Sequence, residues 1–289
     1  MRGDALPSTV DAIELDLLLE AIHRRYHYDF RAYSRASLRR RADIARQALG
    51  CATLSALQER ILREPNLLPV LIDSMTVQVS EMFRDPAYFR ALREHIVPHL
   101  KTFPSLKVWV AGCSNGEELY SLAILFREEG LESRTMFYAT DINAAALAKA
   151  EAGIYDLARL PLFTENHRAS GGRSSLSDYY TAAYGAAIFD KSLRARTVFA
   201  EHSLASDAVF SEMHLVSCRN VLIYFDNELQ ERAVGLFSDA LARGGFLGLG
   251  PNESLRFSRH REAFTSFCEQ QRIYRRSATL GGEIRDAVA

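Results

Sequence analysis

Val108-Trp109-Val110-Ala111-Gly112-Cys113-Ser114-Asn115-Gly116-Glu117-Glu118 is an apolar run that breaks at glycine and reopens as a helical pattern over 119–129. A strand that ends in glycine turns and leads straight into a helix brings backbone N–H groups and a positive helix end close to a ligand, because glycine carries no Cβ to keep the ligand away. Gly112 is therefore a candidate ligand contact. The spacing is not GxGxxG and the acidic pair would repel a pyrophosphate, so a dinucleotide is disfavoured. An acidic residue there, Glu117 or Glu118, suits a cationic group such as an α-amino group. Both acids would equally complement the helix dipole, and this segment alone does not decide between the two.

Working outward, β-rich runs at 108–112, 135–140, 197–200, 214–218 and 246–250 alternate with helix-like stretches. That is the pattern of a parallel sheet with covering helices, so the fold class is α/β. Runs 264–267 and 272–275 read as an antiparallel pair closing the sheet at one edge. The second run ends at Asp141-Ile142-Asn143, where an acid is placed to accept hydrogen bonds from both hydroxyls of a ribose. Asp141 or Asn143 would also serve as N-cap of a helix over 144–150. The distance from the glycine turn, about twenty-odd residues, favours the ligand reading. A later run ends in Ser217-Cys218-Arg219-Asn220-Val221-Leu222-Ile223-Tyr224-Phe225-Asp226. Ligands of open α/β sheets bind outside the carboxyl ends of the strands, which puts Arg219, Asn220 and Tyr224 where a substrate belongs. Plain packing is the other reading for Tyr224.

From residue 10 to about 100 the apolar spacing is helical, as in Leu15, Leu18, Leu19 and Ile22. We divide the chain into a small all-helical domain, 1–92, and an α/β domain, 93–289. Within the latter, 160–196 opens with the turn-rich Gly171-Gly172-Arg173-Ser174-Ser175 and carries Tyr179, Tyr180, Tyr184, Ile188 and Phe189, which reads as an inserted β-subdomain. Near the end of the helical part, Thr76-Val77-Gln78-Val79-Ser80-Glu81-Met82-Phe83-Arg84-Asp85 alternates polar groups, so that Gln78, Ser80 and Arg84 form a row of donors towards the second domain. A solvated loop is the default alternative.

The chain of 289 residues is 48% hydrophobic and 25% charged, ordinary for a globular protein. No apolar stretch approaches the roughly 20 residues that span a bilayer, so membrane insertion is not expected. Residues 1–8 lack a basic segment followed by an apolar run, which argues against a secretory signal. Cys51, Cys113, Cys218 and Cys268 have no CxxC spacing. This argues against zinc or a disulfide framework and fits a reducing cytosol; no metal is expected. A formal net charge of −1 offers no global attraction to nucleic acid. Locally, Arg35, Ser37, Arg39, Arg40, Arg41 and Arg46 form a basic helical run in which Arg35, Arg39 and Arg46 share a face with only Asp43 nearby. A solvated face is the usual meaning of such a run.

These segments, in this order, resemble the chemotaxis receptor (protein-glutamate) O-methyltransferase family, CheR. The resemblance rests most on Cys218-Arg219-Asn220-Val221-Leu222-Ile223-Tyr224-Phe225, then on Ser114-Asn115-Gly116-Glu117-Glu118-Leu119-Tyr120-Ser121 and Met82-Phe83-Arg84, and it extends from Tyr28-Asp29-Phe30-Arg31-Ala32-Tyr33 to the end. It implies a Rossmann-like class I methyltransferase domain, S-adenosylmethionine as cofactor, S-adenosylhomocysteine as product and a cytoplasmic location. By resemblance, Gln78, Ser80 and Arg84 contact the cofactor, Glu118 its methionine part, Asp141 its ribose, and Ser203 with Leu204 its adenosine. Arg219 and Asn220 line the same pocket, while Arg84 and Tyr224 stand near the transferred methyl. The family often has Asn at position 78, Thr at 80 and Asn at 203, so altered affinity is expected here. The resemblance also implies that the basic helix, with Arg35, Arg39 and Arg46, docks on the cytoplasmic helical domain of a methyl-accepting receptor; nucleic acid is the disfavoured partner. In some members the β-subdomain binds a receptor's C-terminal pentapeptide as an added strand. The loop around Ala183-Tyr184-Gly185 looks short for that, so tethering is not expected. Two other readings stay open, a methyltransferase for a small molecule or RNA and a scaffold that binds the cofactor without turnover.

Overall fold

The computed structural model describes residues 9–277; residues 1–8, on which the expectation about a leader rests, and 278–289 lie outside it. Four helices open the chain: α1 (Val10–Tyr26), α2 (Arg35–Ala48), α3 (Leu54–Arg63) and α4 (Leu68–Met75). They share one apolar cluster that includes Leu18, Ile22, Leu38, Leu57 and Leu71. The sheet strands are β1 (Leu106–Ala111), β2 (Thr135–Asp141), β6 (Thr197–Glu201), β7 (Met213–Cys218), β8 (Leu241–Leu249), β9 (Phe264–Cys268) and β10 (Ile273–Arg276), in the order β6-β2-β1-β7-β8-β10-β9. Strands β6, β2, β1, β7 and β8 run parallel, and β10 and β9 join antiparallel at the edge.

Alternation within β1 builds two cores, one on each face of the sheet. Val108 and Val110 pack on one face with α7 (Glu117–Glu128), whereas Trp109 and Ala111 pack on the other with α10 (Asn227–Ala240). Met82, Phe83, α5 (Pro86–Ala91), a π turn over Leu92–Ile96 and α6 (Val97–Leu100) belong to the first of these cores. The apolar cluster of the opening helices ends at Met75. The helices before and after the 76–84 segment thus serve different cores, although their sequence periodicity is the same.

Between β2 and β6 the chain forms α8 (Ala144–Ala152), β3 (Ile154–Asp156), α9 (Leu160–Ala169), β4 (Tyr180–Ala183) and β5 (Ala186–Phe189). The antiparallel order is β3-β5-β4, so the small sheet takes one strand from outside the 160–196 segment, and that segment begins with a helix. A three-residue strand leaves too short a trace of alternation to be seen in sequence. Strands β4 and β5 are joined at Tyr184-Gly185, with φ of 52° and 78°, as a tight two-residue hairpin turn requires.

Candidate functional site

Strand order reverses at β1: the chain proceeds to β2 on one side and returns to β7 on the other. At such a switch the connections diverge and leave a crevice outside the carboxyl ends of the strands. The crevice here encloses about 990 Å3 of non-atom space, open mouth included. Its walls come from the β1, β2 and β7 ends, from the 76–84 segment laid over them like a strap, and from Tyr33 and Ser37 of the helical part.

The turn after β1 is folded onto β2. Gly112 N–H and Cys113 N–H both donate to Thr140 O, at 2.8 and 2.9 Å. Gly112 has φ of 71°, and a Cβ there would lie 2.5 Å from Val221 Cγ2, so the position excludes other residues on two counts. Ser114 N–H donates to Asp141 Oδ2 at 2.8 Å and Asn143 N–H to Asp141 Oδ1 at 3.0 Å. Burial raises the Asp141 carboxyl pKa, and the backbone donors from Asn143 and Ser114 work against that rise. The N-cap of α8 is Asn143, whose Oδ1 accepts from Ala145 N–H and Ala146 N–H. Asp141 is therefore not a helix cap. It lines the crevice.

Glu118 is held at both oxygens: Ser217 Oγ donates to Oε1 at 2.7 Å and Arg219 Nη1 to Oε2 at 3.1 Å. With the Ser217 proton spent on Glu118, the Tyr88 hydroxyl donates to Ser217 Oγ, at 2.9 Å. Arg219 also pairs with Asp85 at 2.7 Å, and its guanidinium stacks over the Tyr88 ring at 4.1 Å. Its side chain is only 1% exposed. Arg219 thus reaches the crevice mainly as a brace for Glu118. Glu117 has turned the other way, fully buried and paired with Arg159 at 2.8 Å.

The strap is pinned along its length. Gln78 Oε1 accepts from Ser114 Oγ at 2.6 Å, Ser80 O accepts from Arg159, and Phe83 N–H donates to Ser121 Oγ at 2.7 Å. Asn143 Nδ2 donates to Asp73 Oδ1 at 3.1 Å and Thr76 Oγ1 at 3.0 Å. Gln78, Ser80, Arg84, Gly112, Glu118, Asp141, Leu204, Arg219, Asn220 and Tyr224 all line the one crevice. Ser203 does not: its N–H donates to Asp207 Oδ2 and its Oγ accepts from Ala205 N–H, which turns it into the 203–207 loop. His202 lines the crevice in its place, with Nδ1 buried and without a protein partner among the described residues.

The basic helix is also rearranged relative to expectation. Arg35 pairs with Asp16 and Arg39 with Asp11, both on α1, while Arg46 binds Asp43 at 3.1 Å and Cys51 O at 3.0 Å. Asp43 is therefore not their only acidic neighbour, because α1 brings two more that sequence spacing within α2 does not reveal. Arg40 and Arg41 lie instead beside the crevice mouth, in a depression with Val77, Val79, Arg84, Ile223 and Tyr224. Sequence reasoning quoted Asp85 and Ser217 without giving them a role and passed over Tyr88 and Glu253. The signal for the first two was closeness in sequence, Asp85 next to Arg84 and Ser217 two residues before Arg219; Tyr88 and Glu253 had none.

Two carboxylates, several hydroxyl and amide groups and the apolar walls of Ile142, Leu204 and Phe225 meet in one crevice. That set of groups fits a ligand with an ammonium group, a diol and a flat heteroaromatic ring. Residues 13–76 match the family described as CheR methyltransferase, all-alpha domain, and residues 78–273 match CheR methyltransferase, SAM binding domain. A Pseudomonas putida protein named "Putative methyltransferase Cher3" is 55% identical over 265 residues, covering 92% of this chain and 97% of its own. Chemotaxis protein methyltransferase 1 of Pseudomonas aeruginosa is 31% identical over 218 residues, 71% of this chain and 77% of its own. Chemotaxis protein methyltransferase of Listeria innocua is 31% identical over 205 residues, with 70% and 75% covered.

Proposed function

The chain belongs to the CheR methyltransferase family, and we propose that it esterifies glutamate side chains on the cytoplasmic helical domain of a chemoreceptor. S-adenosylmethionine is the cofactor, and when bound it supplies an electrophilic methyl group on a sulfonium. The observation that carries the reading is the single crevice in which Glu118 and Asp141 stand at the strand ends while Arg84 and Tyr224 stand towards the depression at its mouth.

The chemistry asks little of the protein beyond alignment. A glutamate carboxylate is ionised at neutral pH and needs no strong general base to act as a nucleophile. Glu118 receives the ammonium of the methionine part and Asp141 the ribose hydroxyls. Arg84 orients the incoming carboxylate, with the Tyr224 hydroxyl as a second donor. Alignment of this kind accounts for several kcal/mol of a barrier, about 7–11 in well-oriented intramolecular cases. Too tight a grip on the ground-state carboxylate would raise the barrier, so a guanidinium at the rim suits the task better than a buried one.

Acceptor recognition draws support from Arg40 and Arg41, which line one depression with Arg84 and the apolar Val77, Val79 and Ile223. An acidic amphipathic helix fits that mixture. The tight Tyr184-Gly185 turn supports the view that no receptor tail peptide is captured on β4; micromolar binding of such a pentapeptide in calorimetry would overturn it. The function itself is tested by incubating the protein with labelled S-adenosylmethionine and receptor-bearing membranes. Base-labile methyl esters on the receptor are expected, and cofactor binding without any label would remove the glutamate acceptor from the reading.

A further inference from the structure

Glu253 sits in the turn that follows β8, where its N–H donates to Gly250 O at 3.0 Å. It is 4% exposed and does not line the crevice. Its carboxylate is met by backbone N–H groups alone among the described residues. Oε2 accepts from Gly250 N–H at 2.6 Å and Asn220 N–H at 3.0 Å, and Oε1 accepts from Val221 N–H at 2.8 Å. A buried carboxylate with no cation is costly to keep, and burial accordingly raises its pKa while these backbone donors oppose the rise. What the carboxylate holds is the loop that leaves β7. Asn220 there has φ of 60°, a conformation unfavourable for a residue with a Cβ, and it lines the crevice. Val221, the next residue, packs on Gly112 at the floor of the cofactor turn.

We infer that Glu253 is a positioning residue for the cofactor site: its carboxylate clamps the 219–221 loop to the turn after β8, through the N–H groups of Asn220 and Val221 on one side and of Gly250 on the other, and so sets the place of Asn220 at the crevice from behind. The inference rests on the cofactor reading above. It adds a residue that touches neither cofactor nor acceptor yet sets the geometry of one that does. Gly250 is part of the same clamp, because an added Cβ there would lie 2.8 Å from both Asn220 N and Glu253 Oε2.

The test uses the full chain and the dissociation constant of S-adenosylhomocysteine measured by titration calorimetry. Glu253→Gln keeps the size but turns an NH2 group towards N–H donors. It is expected to weaken binding about tenfold, as misplacement of a site group does. Asn220→Ala should weaken binding to a similar extent, and the double variant should bind within about threefold of Asn220→Ala, because residues that act through one another are not additive. A purely structural role for Glu253 would give losses that multiply, and that result, or wild-type affinity in Glu253→Gln, overturns the proposal. Should Glu253→Gln fail to fold, Gly250→Ala perturbs the clamp with its charge retained, and the same coupling to Asn220→Ala is expected of it; multiplied losses or wild-type affinity there overturn the proposal equally. A wild-type chain that binds no S-adenosylhomocysteine would overturn this proposal together with the reading it rests on.

Discussion

Glu118 and Asp141 are both crevice carboxylates, but the protein prepares them differently. Glu118 is braced by side chains, through Ser217 and Arg219, while Asp141 is braced by backbone amides of two loops. Ser217→Ala should therefore free one oxygen of Glu118 and leave the buried Tyr88 hydroxyl unpaired. We expect a several-fold loss of cofactor affinity in calorimetry and a loss of about 1–3 kcal/mol in urea unfolding, the usual cost of an unsatisfied buried group. Asp141→Ala should act mainly on cofactor binding and Arg84→Ala mainly on turnover; the reverse split in steady-state kinetics would reassign both. Asp141 also predicts a pH effect. Because burial raises the Asp141 pKa above its ordinary 3.8, acidification protonates it earlier than a free aspartate. Cofactor affinity should then begin to fall above that ordinary value as pH is lowered, and this step should be missing from Asp141→Asn.

Among the elements, the 76–84 strap and helix α2 explain why the helical part belongs to the site. Asn143 caps α8 with its Oδ1 and ties the strap with its Nδ2, to Asp73 and Thr76. Removing it in Asn143→Ala should cost about 1–2 kcal/mol for the cap alone. It should also speed cofactor release, measurable as a faster off-rate in stopped-flow displacement. The helical part is joined a second time where Ser34 N–H donates to Tyr224 O at 2.7 Å and Asp226 N–H to Ala32 O at 2.9 Å. Tyr224 is thus held from the far domain. Helix α2 has two basic faces with different fates, one paired to α1 and one beside the mouth. Exposed ion pairs contribute little to stability, about 0–1 kcal/mol. Charge reversal of Arg40 and Arg41 should reduce receptor methylation in the label assay while S-adenosylhomocysteine affinity stays at wild type. The same reversal of Arg35 and Arg39 should reduce methylation less.

At the scale of the whole molecule, a buried ionic network ties together the π turn, the end of α7, α9 and the 170–175 loop. Arg93 pairs with both Glu128 and Glu129, Lys101 and Arg173 reach Glu129, and His167 Nε2 lies 3.0 Å from Glu128 Oε1. Burial pushes the Glu128 carboxyl up, but the His167 hydrogen bond and the Arg93 charge outweigh it and hold the pKa at about 2. A carboxyl depressed on folding lends stability above its unfolded value, near 4.5, and loses it as pH falls towards the folded one. Glu128→Gln should therefore be less stable than wild type at neutral pH, by roughly 1–3 kcal/mol. The gap in urea midpoints should close as pH drops from 4.5 towards 2.

Sequence by itself determined the alternation of strands and helices, the crevice at the strand ends and several of the residues that line it, among them Gly112, Asp141, Arg219, Asn220 and Tyr224. These follow from local pattern: apolar period sets the element, glycine sets the turn, and the position after a strand sets the face a side chain meets. Residue pattern left Glu117 and Glu118 open and the resemblance pointed to Glu118; tertiary structure turned Glu117 onto Arg159, and it took Ser203 out while bringing His202 in. It also turned Arg35 and Arg39 onto α1, made Arg219 a brace, and recruited Tyr88 and Glu253. The reason is common to all of these. Each depends on a partner far along the chain, such as Asp16 for Arg35 or Glu253 for Asn220, and a hydrogen bond between distant segments leaves no period or spacing in the sequence of either one.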